Sequence, residues 1–130
     1  MNIKTFARKY GSYGARLNEI AERYDRACNT KISNQAEFKL AKENMINATR
    51  EFERLRDVLE QIPAPSGFSK EKEKMDKLFA EYVSHIVQKT ERFSLEAIET
   101  GEIEGLTELE MDASRQYKEY LIDFTKKHVM

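Results

Sequence analysis

Hydrophobic residues recur along this chain in steps that alternate between three and four positions, the spacing of one face of an α-helix. Four segments show this pattern, and each has one apolar stripe beside a charged face. The stripes run from Ile3 to Ala27, from Phe38 to Ile62, from Met75 to Ala97 and from Leu106 to Phe124. The strict alternation of a β-strand is absent. The pattern therefore predicts four helices and no sheet.

Capping and breaking residues set the expected ends of these helices. Residues typical of helix N-termini are Asn34 with Glu37, Ser69, and Thr107 with Glu110. Residues that stop a helix are Pro63, Pro65 and Gly101. The predicted helices span residues 3–28, 34–62, 69–100 and 106–128. Gly11 and Gly14 interrupt the first, which predicts close helix packing or a kink there; a hinge is the alternative.

The connections between the predicted helices are short, so consecutive helices should lie antiparallel. We therefore expect an all-α fold, an up-down-up-down antiparallel four-helix bundle. A chain of 130 residues can bury one core of this kind, so we expect a single domain over residues 1–130.

Composition narrows the function classes. Hydrophobic residues make up 40% of the chain and charged residues 35%, with 22 Lys and Arg against 23 Asp and Glu. This balance argues against a disordered chain and against a nucleic-acid partner. No apolar run is long enough to predict a membrane span. Because the chain has one cysteine and no signal-peptide pattern, we expect a cytoplasmic location.

Motifs for metal, cofactor or catalytic chemistry are missing. His85 and His128 lack the Glu three positions upstream that a di-iron helix pair uses, and no phosphate-binding glycine motif occurs. Cys28 is predicted about 20 Å from His85 along the bundle, which argues against a Cys–His dyad, so we expect a small packed residue. We therefore expect no cofactor, no metal and no enzymatic activity.

All six tyrosines lie on or beside the apolar stripes. The pattern predicts core packing, with each hydroxyl reaching solvent at the edge of the core. The alternative is a tyrosine-rich surface or pocket for a partner or an apolar ligand.

The charge is segregated although its sum is small. Basic residues seven apart form a stripe on the first helix: Lys9, Arg16 and Arg23. Acidic residues gather around the third connection: Glu99, Glu102, Glu104 and Glu108. In an up-and-down bundle that connection shares an end with the end of the first helix, so the two sets neutralise each other or form two patches for a protein partner.

The second half of the chain contains a succession of turns and helices that also occurs in other proteins. The segment Ile62-Pro63-Ala64-Pro65 precedes a helix, and the turn Glu99-Thr100-Gly101-Glu102 precedes a last helix rich in Tyr and Lys. Over residues 60–125 this resembles small helical-bundle domains of Gram-positive lipoproteins and phage-encoded proteins. The resemblance implies a binding or accessory role and assigns no site residues.

Three functional hypotheses follow. The first is a noncatalytic protein–protein interaction or regulatory, inhibitor-like module of the kind that mobile elements encode. The second is a sensor or carrier of a small apolar ligand, with an aromatic-lined cavity between helices. The third is a self-assembling coiled coil, in which the apolar stripes pair between copies in a homo-oligomer.

Overall fold

The computed structural model describes all 130 residues and contains helices and connecting segments but no β-strand. The helices are α1 (Ile3–Gly11), α2 (Gly14–Cys28), α3 (Gln35–Glu60), α4 (Ser69–Arg92), α5 (Leu95–Glu99) and α6 (Glu102–His128). The long helices pack against one another, so the predicted all-α bundle is confirmed. None of the helices combines the length and the apolar character needed to cross a membrane.

Consecutive long helices lie side by side and run in opposite directions. At one end of the α3–α4 pair the rings of Phe38 and Phe93 stack with centroids 5.5 Å apart. At the other end Lys72 Nζ donates to the carbonyl of Leu59 over 3.0 Å. The α2–α3 and α4–α6 pairs complete an up-down-up-down arrangement, in which α1 and α2 together form the first rod.

Aromatic side chains fill the centre of the bundle. Phe52 on α3 is completely buried. Its ring lies edge-on to Tyr24 of α2, with centroids 6.0 Å apart, and to Tyr82 of α4 at 5.5 Å. Phe79 and Tyr117 extend the contacts to α6, with centroids 5.0 Å apart. One aromatic cluster therefore joins all four rods.

One predicted cap and one predicted helix start differ from the structure. Asn34 caps α3 as expected, because its side chain accepts a hydrogen bond of 2.9 Å from the backbone N–H of Glu37. Ser69 is not a cap but the first residue of α4. Thr107 does not open the last helix, which begins at Glu102 directly after Gly101, a glycine with φ +81°. Thr107 and Glu110 have the spacing of a capping pair but lie inside α6, because the left-handed Gly101 starts that helix earlier.

The first predicted helix is broken into α1 and α2 at Ser12 and Tyr13. Gly11 and Gly14 flank the break, and a Cβ added to either glycine would meet no atom within 4 Å. The expectation of close packing at these glycines is therefore wrong, and that of an interrupted helix is right. The interruption frees α2 from following the axis of α1.

The third predicted helix ends at Arg92 rather than at residue 100. Phe93 adopts an extended backbone with φ −66° and ψ 113°. Lys42 of α3 donates to the carbonyl of Phe93 over 3.0 Å and also to the carbonyl of Thr90. These contacts satisfy carbonyls that a continuing helix would have used. Ser94 then caps the short α5.

Three tyrosine hydroxyls lie inside the core, contrary to the expectation that they reach solvent. The hydroxyls of Tyr10 and Tyr117 are 2.7 Å apart, and the hydroxyl of Tyr24 is 3.0 Å from Thr90 Oγ1. Burial raises the pKa of Tyr117 to about 12. A buried hydroxyl needs a hydrogen-bond partner, and these side chains find theirs in one another.

We expect Gly105→Ala to raise the free energy of unfolding by about 0.5–1 kcal/mol, because alanine loses less backbone entropy in a helix. Gly105 lies within α6, and an added Cβ meets no atom within 4 Å. The matched control is Gly101→Ala, whose positive φ should make it destabilising by about 1–2 kcal/mol. Urea denaturation followed by circular dichroism measures both. Equal effects of the two variants on the free energy of unfolding would contradict the assignment of a helical conformation to Gly105 and a left-handed one to Gly101.

Candidate functional site

A cleft of about 1080 Å³ lies between α2, α4 and α6. At the other end of the same side of the bundle, α1 contacts α6 directly: the rings of Phe6 and Phe124 are 6.4 Å apart, and Tyr10 meets Tyr117. The cleft begins beyond the break between α1 and α2. The first and last rods are therefore in contact at one end of the bundle and separated at the other.

The floor of the cleft is formed by Lys89 of α4 and Glu110 of α6. Both residues are almost completely enclosed, Lys89 being 2% exposed and Glu110 6%. Lys89 Nζ is 3.6 Å from Glu110 Oε1, which is longer than a hydrogen bond, and Oε1 has no hydrogen-bond partner. Burial raises the pKa of the Glu110 carboxyl, although the charge of Lys89 opposes the shift. The floor pair is thus a close but incompletely hydrogen-bonded ion pair.

Groups from α2, α3 and α4 also surround Lys89. Lys89 Nζ lies 5.3 Å from the centre of the Tyr24 ring, a cation–π distance. The Tyr24 hydroxyl contacts Thr90, whose hydroxyl is 2.9 Å from that of Thr49. Both threonines also donate to carbonyls of their own helices. This network fixes the ring against which the ammonium group rests.

Cys28 and Asp25 belong to the α2 side of the cleft. Cys28 is half-buried, and burial raises the pKa of its thiol. The thiol is therefore protonated at neutral pH and does not provide the thiolate that nucleophilic catalysis needs. Partial burial also raises the pKa of Asp25. Cys28 packs against the core as expected, and one side of it lines the cleft.

The walls of the cleft combine apolar side chains with polar and charged ones. Three large side chains that line it are also exposed to solvent: Ile98, Met111 and Ile122. Charged side chains, including Arg115 and Lys118, surround the mouth. Apolar walls above a few enclosed polar groups are typical of small-molecule sites.

The structure places the four acidic residues singled out in the sequence in different surroundings. Glu104 and Glu108 are exposed and line the mouth of the cleft. Glu99 is exposed on α5, and Glu102 forms an ion pair with Arg92 at 3.1 Å. Their role in binding a partner stays a prediction.

The basic stripe remains on the surface of α1 and α2. Lys9 and Arg16 are exposed, and Arg23 forms an ion pair with Glu51 of α3 at 2.6 Å. No ion pair joins this stripe to the acidic residues of the third connection. The expected mutual neutralisation is therefore not made by direct pairing, and partner binding by the stripe stays a prediction.

Sequence reasoning missed Lys89 and Glu110. The third apolar stripe skips from Ile86 to Phe93, and the missing position falls at residue 89 or 90. In the fourth stripe Glu110 occupies the position between Leu106 and Ala113 that was assigned to Leu109. Leu109 is 51% exposed. The gap in the third stripe was the available signal for Lys89, whereas Leu109 filled the fourth stripe and left no signal for Glu110.

The structure contains no group of three or more His, Cys, Asp or Glu side chains that could hold a metal ion. His85 is half-buried on α4. The ring of His128 packs against Phe68 and Phe124, with centroids 4.9 and 5.0 Å apart. The two histidines thus belong to separate parts of the bundle.

Comparisons with known protein families, with curated protein sequences and with solved structures found no match. The resemblance to small helical-bundle domains of lipoproteins and phage-encoded proteins stays a prediction.

Proposed function

We propose that this protein is a noncatalytic binding protein that holds a small amphipathic molecule in the cleft between α2, α4 and α6. The observation that carries the proposal is the combination of a cleft of about 1080 Å³, apolar side chains exposed on its walls and an enclosed polar floor. Pockets for small molecules have about this volume and this division between apolar walls and few polar groups.

The apolar walls supply a reason for a ligand to bind. Ile98, Met111 and Ile122 expose apolar surface that a bound molecule would remove from water. Each Å² of apolar area removed contributes about 25 cal/mol. The protonated thiol of Cys28 and the engaged Lys89–Glu110 pair leave no evident nucleophile, which supports binding rather than catalysis.

The test is titration of the protein with N-phenylnaphthylamine, a neutral apolar dye that fluoresces strongly away from water. We expect a single saturable site with one dye per chain. Ser114→Phe introduces a large ring on the α6 side of the cleft and should weaken dye binding by at least about tenfold. Ser114 lines the cleft and is half-buried.

Ser84→Phe is the matched control, because Ser84 is exposed on α4 and does not line the cleft. It should bind the dye as the unaltered protein does. Absence of a saturable site, or dye binding by Ser114→Phe equal to that of Ser84→Phe, would overturn the proposal. The native mass of the same samples distinguishes a second copy in the cleft, which would appear as a dimer that the dye dissociates.

A further inference from the structure

The floor of the cleft has hydrogen-bonding capacity that the protein itself does not use. Oε1 of the Glu110 carboxylate is enclosed and has no hydrogen-bond partner. Lys89 Nζ is 3.6 Å away, beyond direct hydrogen-bond distance. An ammonium group has three protons to donate, and a carboxylate has about four acceptor positions. A group placed at the floor could therefore accept from one residue and donate to the other.

A single hydroxyl group has both capacities. Its oxygen accepts a hydrogen bond from Lys89 Nζ while its proton is donated to the carboxylate of Glu110. An oxygen about 2.8 Å from each of two atoms fits geometrically when those atoms are 3.6 Å apart. Turning the carboxylate about its last bond presents either of its oxygens. The spacing of the floor pair thus matches one bridging hydroxyl.

Charge disfavours the ionic alternatives. Lys89 and Glu110 carry opposite charges, and the carboxylate of Asp25, which acts on both of them, is exposed to solvent and therefore screened. A carboxylate head would lie beside Glu110 and an ammonium head beside Lys89, so either ion would meet a like charge in an enclosed position, which is costly. Charged side chains at the mouth, such as Arg115, Lys118 and Glu119, lie in solvent, where screening leaves them little influence on the floor.

We propose that the cleft selects neutral amphiphiles: molecules with an apolar body along the walls and a hydroxyl head between Lys89 and Glu110. This inference rests on the proposed function and names the class of ligand. Water has the same donor and acceptor pattern as a hydroxyl and competes for the same position. The apolar body therefore supplies most of the affinity, and the floor pair sets the selectivity among head groups.

The test is displacement of N-phenylnaphthylamine from the full chain by three ligands with the same ten-carbon body. These are decanol, decanoate and decylamine at neutral pH, each below the concentration at which it forms micelles. We expect decanol to displace the dye at a concentration at least about tenfold lower than either ion requires. If decanoate or decylamine displaces the dye as well as decanol does, or better, the proposed selectivity for a hydroxyl head is wrong, while the proposed binding function stands.

A variant locates the selectivity. Lys89→Met combined with Glu110→Leu replaces the floor pair by apolar side chains of similar size, and such replacements are compatible with folding. We expect this double variant to bind the dye but to lose the hydroxyl bridge. The advantage of decanol over decane in displacing the dye should then fall by at least about threefold.

The matched control is Arg56→Met with Asp57→Leu, a pair of opposite charges on α3 that does not line the cleft. It should keep the full preference for decanol. An unchanged decanol-to-decane ratio in the floor variant would overturn the bridge, as would dye binding that none of the ligands displaces. Failure of the dye to bind the unaltered protein would remove the proposed function and this inference together.

Discussion

Glu110→Leu is expected to lower the free energy of unfolding by about 3–5 kcal/mol, because it leaves the ammonium group of Lys89 enclosed without its counter-charge. Lys89 is the more deeply buried member of the pair. Its remaining electrostatic partners would be the ring of Tyr24 and the exposed carboxylate of Asp25. A cation–π contact contributes about 2 kcal/mol at most in such positions and does not replace a full charge.

Adding Lys89→Met to this variant should restore most of the lost stability. Two apolar side chains that pack together are often as stable as the buried ion pair they replace. Urea denaturation of both single variants and the double variant gives the coupling between the two positions. Glu102→Leu is the control, since it breaks the exposed pair with Arg92 and should cost less than about 1 kcal/mol. A double variant less stable than Glu110→Leu would contradict the assignment of a desolvated pair.

Phe52→Ala is expected to be the most destabilising single truncation in the aromatic core, by about 3–5 kcal/mol. The ring is fully enclosed and lies edge-on to Tyr24 and Tyr82 from two other helices. Its removal leaves a cavity at the point where α2, α3 and α4 meet. Because Tyr24 and Tyr82 also support the floor and wall of the cleft, dye binding should weaken together with stability.

The control for this truncation is Leu40→Ala, on the solvent side of the same helix. Leu40 is 58% exposed, so its shortening should change the free energy of unfolding by less than about 0.5 kcal/mol. Circular dichroism during urea denaturation measures both variants. A loss below about 1 kcal/mol for Phe52→Ala would show that the core closes around the missing ring.

The helical spacing of apolar residues was sufficient to predict the bundle. Steps of three and four positions place Ile20, Tyr24 and Ala27 on one face of α2, and all three are buried. That prediction succeeds because each stripe must be covered by another helix, and short connections allow few arrangements.

The ends of the helices were harder to predict, because capping signals compete. Asn34 acts as a cap, since its side chain reaches a backbone N–H that has no helical partner. Thr107 has the same kind of spacing to Glu110, but Gly101 starts α6 earlier and Glu110 is taken into the core. Long-range contacts decide such cases. Lys42, far away in sequence, holds the carbonyl of Phe93 where α4 stops.

The candidate site could not be predicted from charge patterns, because Lys89 and Glu110 are indistinguishable by composition from the many solvated charges around them. The neighbours Glu108 and Glu110 are identical in type, yet one is exposed and the other enclosed. The difference is a matter of helical phase, in which two positions correspond to a rotation of about 200°. The cleft itself depends on where α2 lies relative to α6, which no local pattern specifies.

The break at Ser12 and Tyr13 allows the direction of α2 to differ from that of α1. With 15 residues, α2 is about 22 Å long, so a change of about 5° in the direction in which it leaves the break displaces Cys28 by about 2 Å. The contact between Phe6 and Phe124 lies on the α1 side of the break, so a change in the direction of α2 does not displace it. Substitutions at Ser12, which is exposed, and at Tyr13, which packs against the edge of the core, can thus adjust the width of the cleft, and hence the width of the molecule it admits, while every lining side chain stays the same.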